Sequence, residues 1–417
     1  MIHERNTSIA EGAFKWVDVP GKGRKMKNII NFYDGFIQDD IIWFSSLNHN
    51  ALMTLDIKSG RIDSIGAFPG CKSYQKNLHI RVIEHNKCLY FIPRNGNFIH
   101  VFNFEQMVFK DNVPLPYAEN TCIANAFIDS NGKIWIIPAY FCKGIVVLDT
   151  YSATVEMIRS AETSDIPPDA FIGPNCVCYS TDTISMCILK NNTLIYIDTL
   201  TNKVSYEKLD EGYMPYSFIS EDGETFYISN YPDNEIVSWN KNNKTYHVLS
   251  DKMSSEFCMY MYWNCIHKDH KLMCLPYDKE DLLIVDQTEK NDRHVSICEL
   301  VKKNSCNPMY SFYKEYKGHL YLFPSGADGI LIIDCENWSI RSLEYVISEY
   351  LQEQIQTECK IDFLNEVRSG VVEESIEYKE TLDEFLNVVT QNWKNKSSMD
   401  RMDIGNEIYK TIRKIII

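Results

Sequence analysis

The sequence predicts an all-β protein: a seven-bladed β-propeller of four-stranded antiparallel blades, followed by an α-helical C-terminal tail. Three observations carry the prediction. An aromatic or apolar strand recurs at roughly the 40- to 50-residue period of a propeller blade, an Asp or Asn follows it at a near-constant distance, and the hydrophobic period changes near residue 345.

The recurring strand reads IIWFS, LYFIP, KIWIIP, ISMCIL, TFYIS, KLMCLP and HLYLFP, closing at Ser45, Pro93, Pro138, Leu189, Ser229, Pro276 and Pro324. Successive spacings of 48, 45, 51, 40, 47 and 48 residues correspond to one blade each. The second column is ALMTLD, FIHVFN, GIVVLD, TLIYID, EIVSWN, LLIVD and ILIID, ending at Asp56, Asn103, Asp149, Asp198, Asn240, Asp286 and Asp334, 9 to 11 residues after each anchor. A short Asp or Asn side chain accepts hydrogen bonds from the amides that follow it and starts a tight turn. A constant offset inside repeats of variable spacing means one supersecondary unit joined by variable loops.

Alternating stretches follow that turn (RIDSIGAF, VEMI, KVSYEKL, TYHVL, HVSICEL, SIRSL) and precede the anchor (HIRVIEHN, CIANAFID, PYSFISED, PMYSFYKEY), giving four strands per unit. A β-solenoid or two stacked sandwiches would need shorter rungs or unequal strand spacing. Near the N-terminus AFKWVDV also alternates and competes with SIRSL for the outer place in the last blade; the N-terminal segment is the expected closing strand. The propeller is therefore assigned to residues 1–344 and the tail to 345–417. In the tail Leu382, Phe385, Leu386, Val389 and Trp393 fall on one helical face, and Ile404, Ile408, Ile412 and Ile415 on another. Such stripes must cover something, and the propeller itself is the expected target, with a protein partner as the alternative.

Forty-two basic against 57 acidic residues give a formal charge of −15, which argues against nucleic acid and anionic membrane surfaces as partners. No segment approaches the roughly 18 apolar residues of a membrane span. MIHERNTSIAEGAF is charged where a signal peptide would be apolar, so a cytoplasmic location is expected. Most of the 14 cysteines, among them Cys88, Cys187, Cys274 and Cys335, sit in apolar strands and read as reduced, buried thiols. Neither Cys176-Val-Cys178 nor His267 and His270 in HKDH has convincing metal-ligand spacing, and HKDH reads as a polar turn.

The unit seen in NGKIWIIPAYFCKGIVVLDTYSATVEMI and DDIIWFSSLNHNALMTLDIKSGRIDSIG resembles streptogramin-lyase-like and sensor-type propeller repeats. ILIIDCENWSIRSL is more weakly similar to kelch units, although the double glycine of kelch strands and the Trp-Asp of WD repeats are missing. The resemblance runs over about residues 28 to 345 and implies a scaffold rather than a chemistry. Lyases of that type use a His and acidic residues with a divalent metal, and HKDH falls on the wrong face to supply the histidine.

In such a blade the loop after the second strand and the start of the first share one face around the channel. The loops place Asn48, His49, Asn50, Arg94, Asn95, Tyr140, Lys143, Lys190, Asn191, Asn230, Tyr231, Tyr277, Asp278 and Asp328 there, and the strand starts add His79, Asn120, Asn175, Tyr216, Tyr260 and Tyr310. The mixture suits a polar ligand such as a sugar, glycan or peptide, with Arg94, Tyr140, Lys143, Tyr231, Tyr277 and Asp278 as contacts. Asn is also an ordinary turn residue and Tyr an ordinary rim residue, so the structural reading of each stands beside the functional one. His49 and His79 are the candidates for a general base, with Tyr277 or Lys143 stabilising developing negative charge. No Ser-His-Asp pattern or phosphate loop is evident. Binding or sensing of a polar ligand is the expected function. A lyase or carbohydrate-processing enzyme on the same face is the first alternative, and a scaffold for a protein partner bound through the C-terminal helices is the second. No cofactor is expected, and a divalent metal only with the lyase.

Overall fold

The computed structural model describes residues 30–347 and also Leu351 and Thr357; within the first span 73–74, 119–120, 159–165, 168–169, 190, 211, 231–234, 251–261, 278–280, 289–290 and 306 are not described. Each of the seven repeats folds as an antiparallel sheet of consecutive strands. The first strands are Gly35–Gln38, His79–His85, Ile123–Ile128, Val177–Ser180, Pro215–Asp222, Tyr262–Lys268 and Tyr310–Tyr316, and each packs against the first strand of a neighbouring blade. They therefore surround a central channel. The second strands carry the apolar triplets and are buried almost throughout; in blade 2, Cys88–Pro93 has no accessible position. Neighbouring blades share one core, since Trp135, Ile184, Ile195, Phe226 and Trp239 of blades 3, 4 and 5 belong to a single cluster. Burial of that kind contributes about 1.5–3 kcal/mol per large apolar side chain before ordering costs.

The Asp/Asn column does what its chemistry requires in all seven blades. Oδ1 of Asp56, Asn103, Asp149, Asp198, Asn240, Asp286 and Asp334 accepts from the amide of Ser59, Gln106, Tyr151, Leu200, Asn242, Thr288 and Glu336, at 2.7 to 3.0 Å. Each also lies opposite the first residue of the second strand, as in Cys88↔Asn103 and Thr183↔Asp198. Counted from that pairing, the residues equivalent to Pro93 are Ser46, Ile188 and Asn230 in blades 1, 4 and 5, one residue from the anchors read in the sequence.

Between first and second strands the chain turns tightly. Asp39–Asp40, Asn86–Lys87, Thr181–Asp182 and Asp269–His270 all have positive φ at both central positions, the backbone that matches strand twist in a two-residue hairpin. HKDH is thus the polar turn that its composition suggests, with His267 at the strand end, stacked on Tyr227 at 5.1 Å.

Ring closure is settled around blades 7 and 1. Ile340–Leu343, from SIRSL, holds the outer place in the last blade, and AFKWVDV lies outside the described residues. The chain then crosses to blade 1, where Val346–Ile347 pairs in parallel with Arg61–Ile62 as a fifth strand. Tyr345 Oη donates to the Ile30 carbonyl at 2.5 Å, and the Phe32 amide donates to the Pro324 carbonyl at 3.0 Å. Residues 345–347, read as the beginning of the tail, are therefore part of the ring. Leu351 is helical and packs against the first core cluster. Thr357 is helical as well, and the remainder of the predicted helical tail lies outside the described residues.

Candidate functional site

The described rim residues each make their own local contacts. Arg94 is tied down: its Nη1 donates to Tyr33 Oη at 2.6 Å and its guanidinium stands 5.1 Å from that ring. Tyr140 is 44% exposed and meets Phe171 edge-on, and Lys143 is exposed at the end of a single 3-10 turn, Phe141–Lys143. Tyr277 sits against Trp263, with Lys303 Nζ 4.9 Å from its ring. Tyr231 and Asp278 lie outside the described residues. Asn175, another rim candidate, donates to the Trp263 carbonyl at 2.9 Å and so ties the strand starts together.

Both candidate bases are buried at the junction of blades 1 and 2. His79 Nδ1 is 2.7 Å from Ser45 Oγ, His79 Nε2 is 2.8 Å from His100 Nδ1, and His100 Nε2 is 3.0 Å from the Pro69 carbonyl. A carbonyl only accepts, so His100 carries its proton on Nε2, His79 carries its own on Nε2, and Ser45 donates to His79 Nδ1. The chain of donors is complete with both rings neutral. Burial pushes the His79 imidazole well below its usual pKa, helped by neighbouring His100, and burial pushes His100 down to about 4. His49 approaches Ser46 Oγ at 3.3 Å, its Nε2 makes no hydrogen bond, and burial lowers it to about 4 as well. Ser45 and His79 have the contact of a nucleophile with its base, yet Ser45 is only 4% exposed. Among the described residues no three His, Cys, Asp or Glu side chains gather so as to hold a metal ion.

The central channel is different. Toward the end where first strands turn into second strands it widens into a cavity of about 420 Å³. Its walls include Phe36, Phe127, Tyr179, Arg81, Lys314 and Glu315. Asp34, with a fully shielded side chain, lies behind it: Oδ2 accepts from the Val82 amide at 3.0 Å and is 3.4 Å from Arg81 Nε, and Oδ1 is 4.0 Å from Lys314 Nζ. Neither Asp34 Oδ1 nor Arg81 Nε makes a hydrogen bond. The Arg81 guanidinium is also 4.3 Å from the Phe312 ring. Burial lowers the pKa of Lys314, opposed by the charge of Asp34. Two cations thus share one carboxylate, and a buried group without a hydrogen bond is costly unless something else completes it. Glu315 is engaged elsewhere, accepting from Lys268 Nζ at 2.5 Å.

A second recess of about 360 Å³ runs between blades 4 and 5, lined by Ser180, Thr183, Ser185, Tyr196, Glu221 and Lys241 among others. Glu221 is already satisfied there, by Lys241 and by Ser185 Oγ at 3.3 Å. Among the described residues, none of the predicted rim residues lines either recess. Arg81 and Lys314 lie inside first strands rather than in the loops and strand starts where the site is predicted, and Asp34, just before the first strand of blade 1, is not among the predicted residues. The available signal was a charge inside a first strand, in HIRVIEH and YSFYKEY, at positions where alternation predicts an interior.

No protein-family model matches the chain, and no curated protein matches it in sequence. Solved structures do share its fold. A streptogramin B lyase is 14% identical with a TM-score of 0.53, over 73% of this chain and 92% of that one. A catalytically inactive virginiamycin B lyase from Staphylococcus aureus with quinupristin is 10% identical with a TM-score of 0.55, over 73% and 95%. The extracellular domain of a putative hybrid two-component system from B. thetaiotaomicron is 15% identical with a TM-score of 0.51, over 76% and 44%. The chain is a seven-bladed propeller similar to lyase and sensor propellers alike, and at these identities the likeness concerns the fold.

Proposed function

We propose that this propeller binds or senses a small organic acid in its central channel. The observation that carries the reading is the Arg81–Asp34–Lys314 cluster, two cations on one shielded carboxylate beside a cavity large enough for a small ligand. An incoming carboxylate would complete the charge, taking a planar pair of donors from Arg81 and a point charge from Lys314. Phe36, Phe127 and Tyr179 offer the ligand's apolar part a surface to lie on. Binding rather than catalysis is favoured because the candidate bases, His49 and His79, are buried and neither lines the cavity.

The test is calorimetric titration of the full chain with a panel of mono-, di- and tricarboxylic acids and inorganic phosphate. A hydrogen bond to a charged group contributes about 1.5–3 kcal/mol, so Arg81→Met and Lys314→Met should each weaken the best acid roughly ten- to a hundredfold. Arg94→Ala and Lys143→Ala, at the other end of the ring, should leave it unchanged. The reverse pattern would move the site to the predicted rim.

A further inference from the structure

Blade 6 holds two cysteines face to face. Cys265 on the first strand lies opposite Cys274 on the second, with their sulfurs 3.7 Å apart and the residues 3% and 0% exposed. Their register decides what the pair can do. Lys268↔Lys271 closes a two-residue hairpin and is hydrogen-bonded, so pairs alternate outward: His267↔Leu272 is not, Ile266↔Met273 is, and Cys265↔Cys274 is not. A non-hydrogen-bonded pair has Cα atoms about 4.5 Å apart with its side chains close together, within the range a disulfide spans. Cys176 and Cys187 of blade 4 are also both buried, but there the Cys187 amide donates to the Cys176 carbonyl at 2.9 Å, a backbone bond that the blade 6 pair lacks.

We infer that Cys265 and Cys274 are a reversible redox pair that closes to a cross-strand disulfide when the protein meets a small-molecule disulfide. One thiolate attacks a sulfur of the small disulfide, forms a mixed disulfide and releases one small thiol. The second thiolate then attacks the protein sulfur of that mixed disulfide and displaces the other small thiol. Two protein thiols are oxidised, one small disulfide is reduced to two thiols, and the two protons end on those thiols. Both sulfurs are buried, and burial raises the Cys265 pKa well above its usual value, so the hairpin must open before the first step and the exchange is slow. The bond would staple the hairpin whose tip carries Lys268, the residue that holds Glu315 at the channel wall.

The experiment uses the full chain with oxidised glutathione, in urea just below the unfolding transition so that hairpin opening is not limiting. Free thiols are capped with N-ethylmaleimide and the protein is digested with trypsin without reduction. Cleavage after Lys268 and Lys271 puts the two cysteines on separate peptides. The expected product is a peptide pair joined through Cys265 and Cys274, on the order of tenfold more abundant than any other cysteine pair. It should persist in Cys258→Ser and vanish in Cys265→Ser. Recovery of Cys265 and Cys274 as capped thiols or as separate glutathione adducts would overturn the inference, as would a crosslink that runs through Cys258 instead.

Discussion

The junction of blades 1 and 2 and the central channel both bury ionisable groups, and they do so in opposite ways. At the junction, Ser45, His79, His100 and the Pro69 carbonyl form a neutral, directed chain in which every donor has an acceptor, packed against Phe68, whose ring lies 4.4 Å from that of His79. In the channel, Arg81 and Lys314 both face the shielded Asp34 carboxylate, and polar atoms remain without hydrogen bonds. The lesson is that burial of a histidine or an arginine does not by itself mark a site. Whether its hydrogen bonds are complete, and whether it faces a cavity, separates structure from recognition.

Acid should break the comparison most strongly. The folded-state pKa values of His49 and His100 fall from 6.5 to about 4, and burial also holds His79 well below its usual value, so the unfolded chain binds more protons below pH 6.5. Stability is fully present above pH 6.5 and should be lost as pH falls toward 4. The loss is on the order of 3 kcal/mol for His49 and for His100, with His79 coupled to His100 and adding to it in the same direction. Urea midpoints measured from pH 7.5 to 4.5 should fall steeply, and a flat profile would mean that the imidazoles are not held neutral.

Breaking the relay by mutation comes next. His79→Ala strands the Ser45 hydroxyl and His100 Nδ1 in a dry site and should cost about 2–4 kcal/mol in urea denaturation. Arg94→Ala removes one hydrogen bond and a ring contact to Tyr33 and should cost about 1 kcal/mol. Lys143→Ala, on an exposed turn, should stay within about 0.5 kcal/mol of the parent. A loss of stability in Lys143→Ala equal to that in Arg94→Ala would show that the distinction between tied and free rim residues is wrong.

The sequence made the scaffold legible because the turn chemistry repeats. The seven Asp or Asn residues that cap the third strands are the same ones whose Oδ1 atoms accept from following amides, and blade number and strand order follow from them. Register was legible to within one residue, since an apolar triplet does not say where a strand ends. The site was not legible in the same way. Reading only loops and strand starts selected Arg94 and Lys143 for their length, but length does not reveal that Arg94 is bound to Tyr33. Asp34, Arg81 and Lys314 come from three different blades, and only the closed ring brings them together.

The most direct test of the channel as the site is the sign of its charge. Asp34→Asn keeps an oxygen for the Val82 amide but removes the carboxylate that faces both Arg81 and Lys314. Titrated by calorimetry with the best carboxylic acid of the panel, Asp34→Asn should bind several-fold more tightly than the parent, with Arg81→Met weaker than both. Weaker binding in Asp34→Asn, or equal affinity in all three proteins, would contradict an anion held between Arg81 and Lys314.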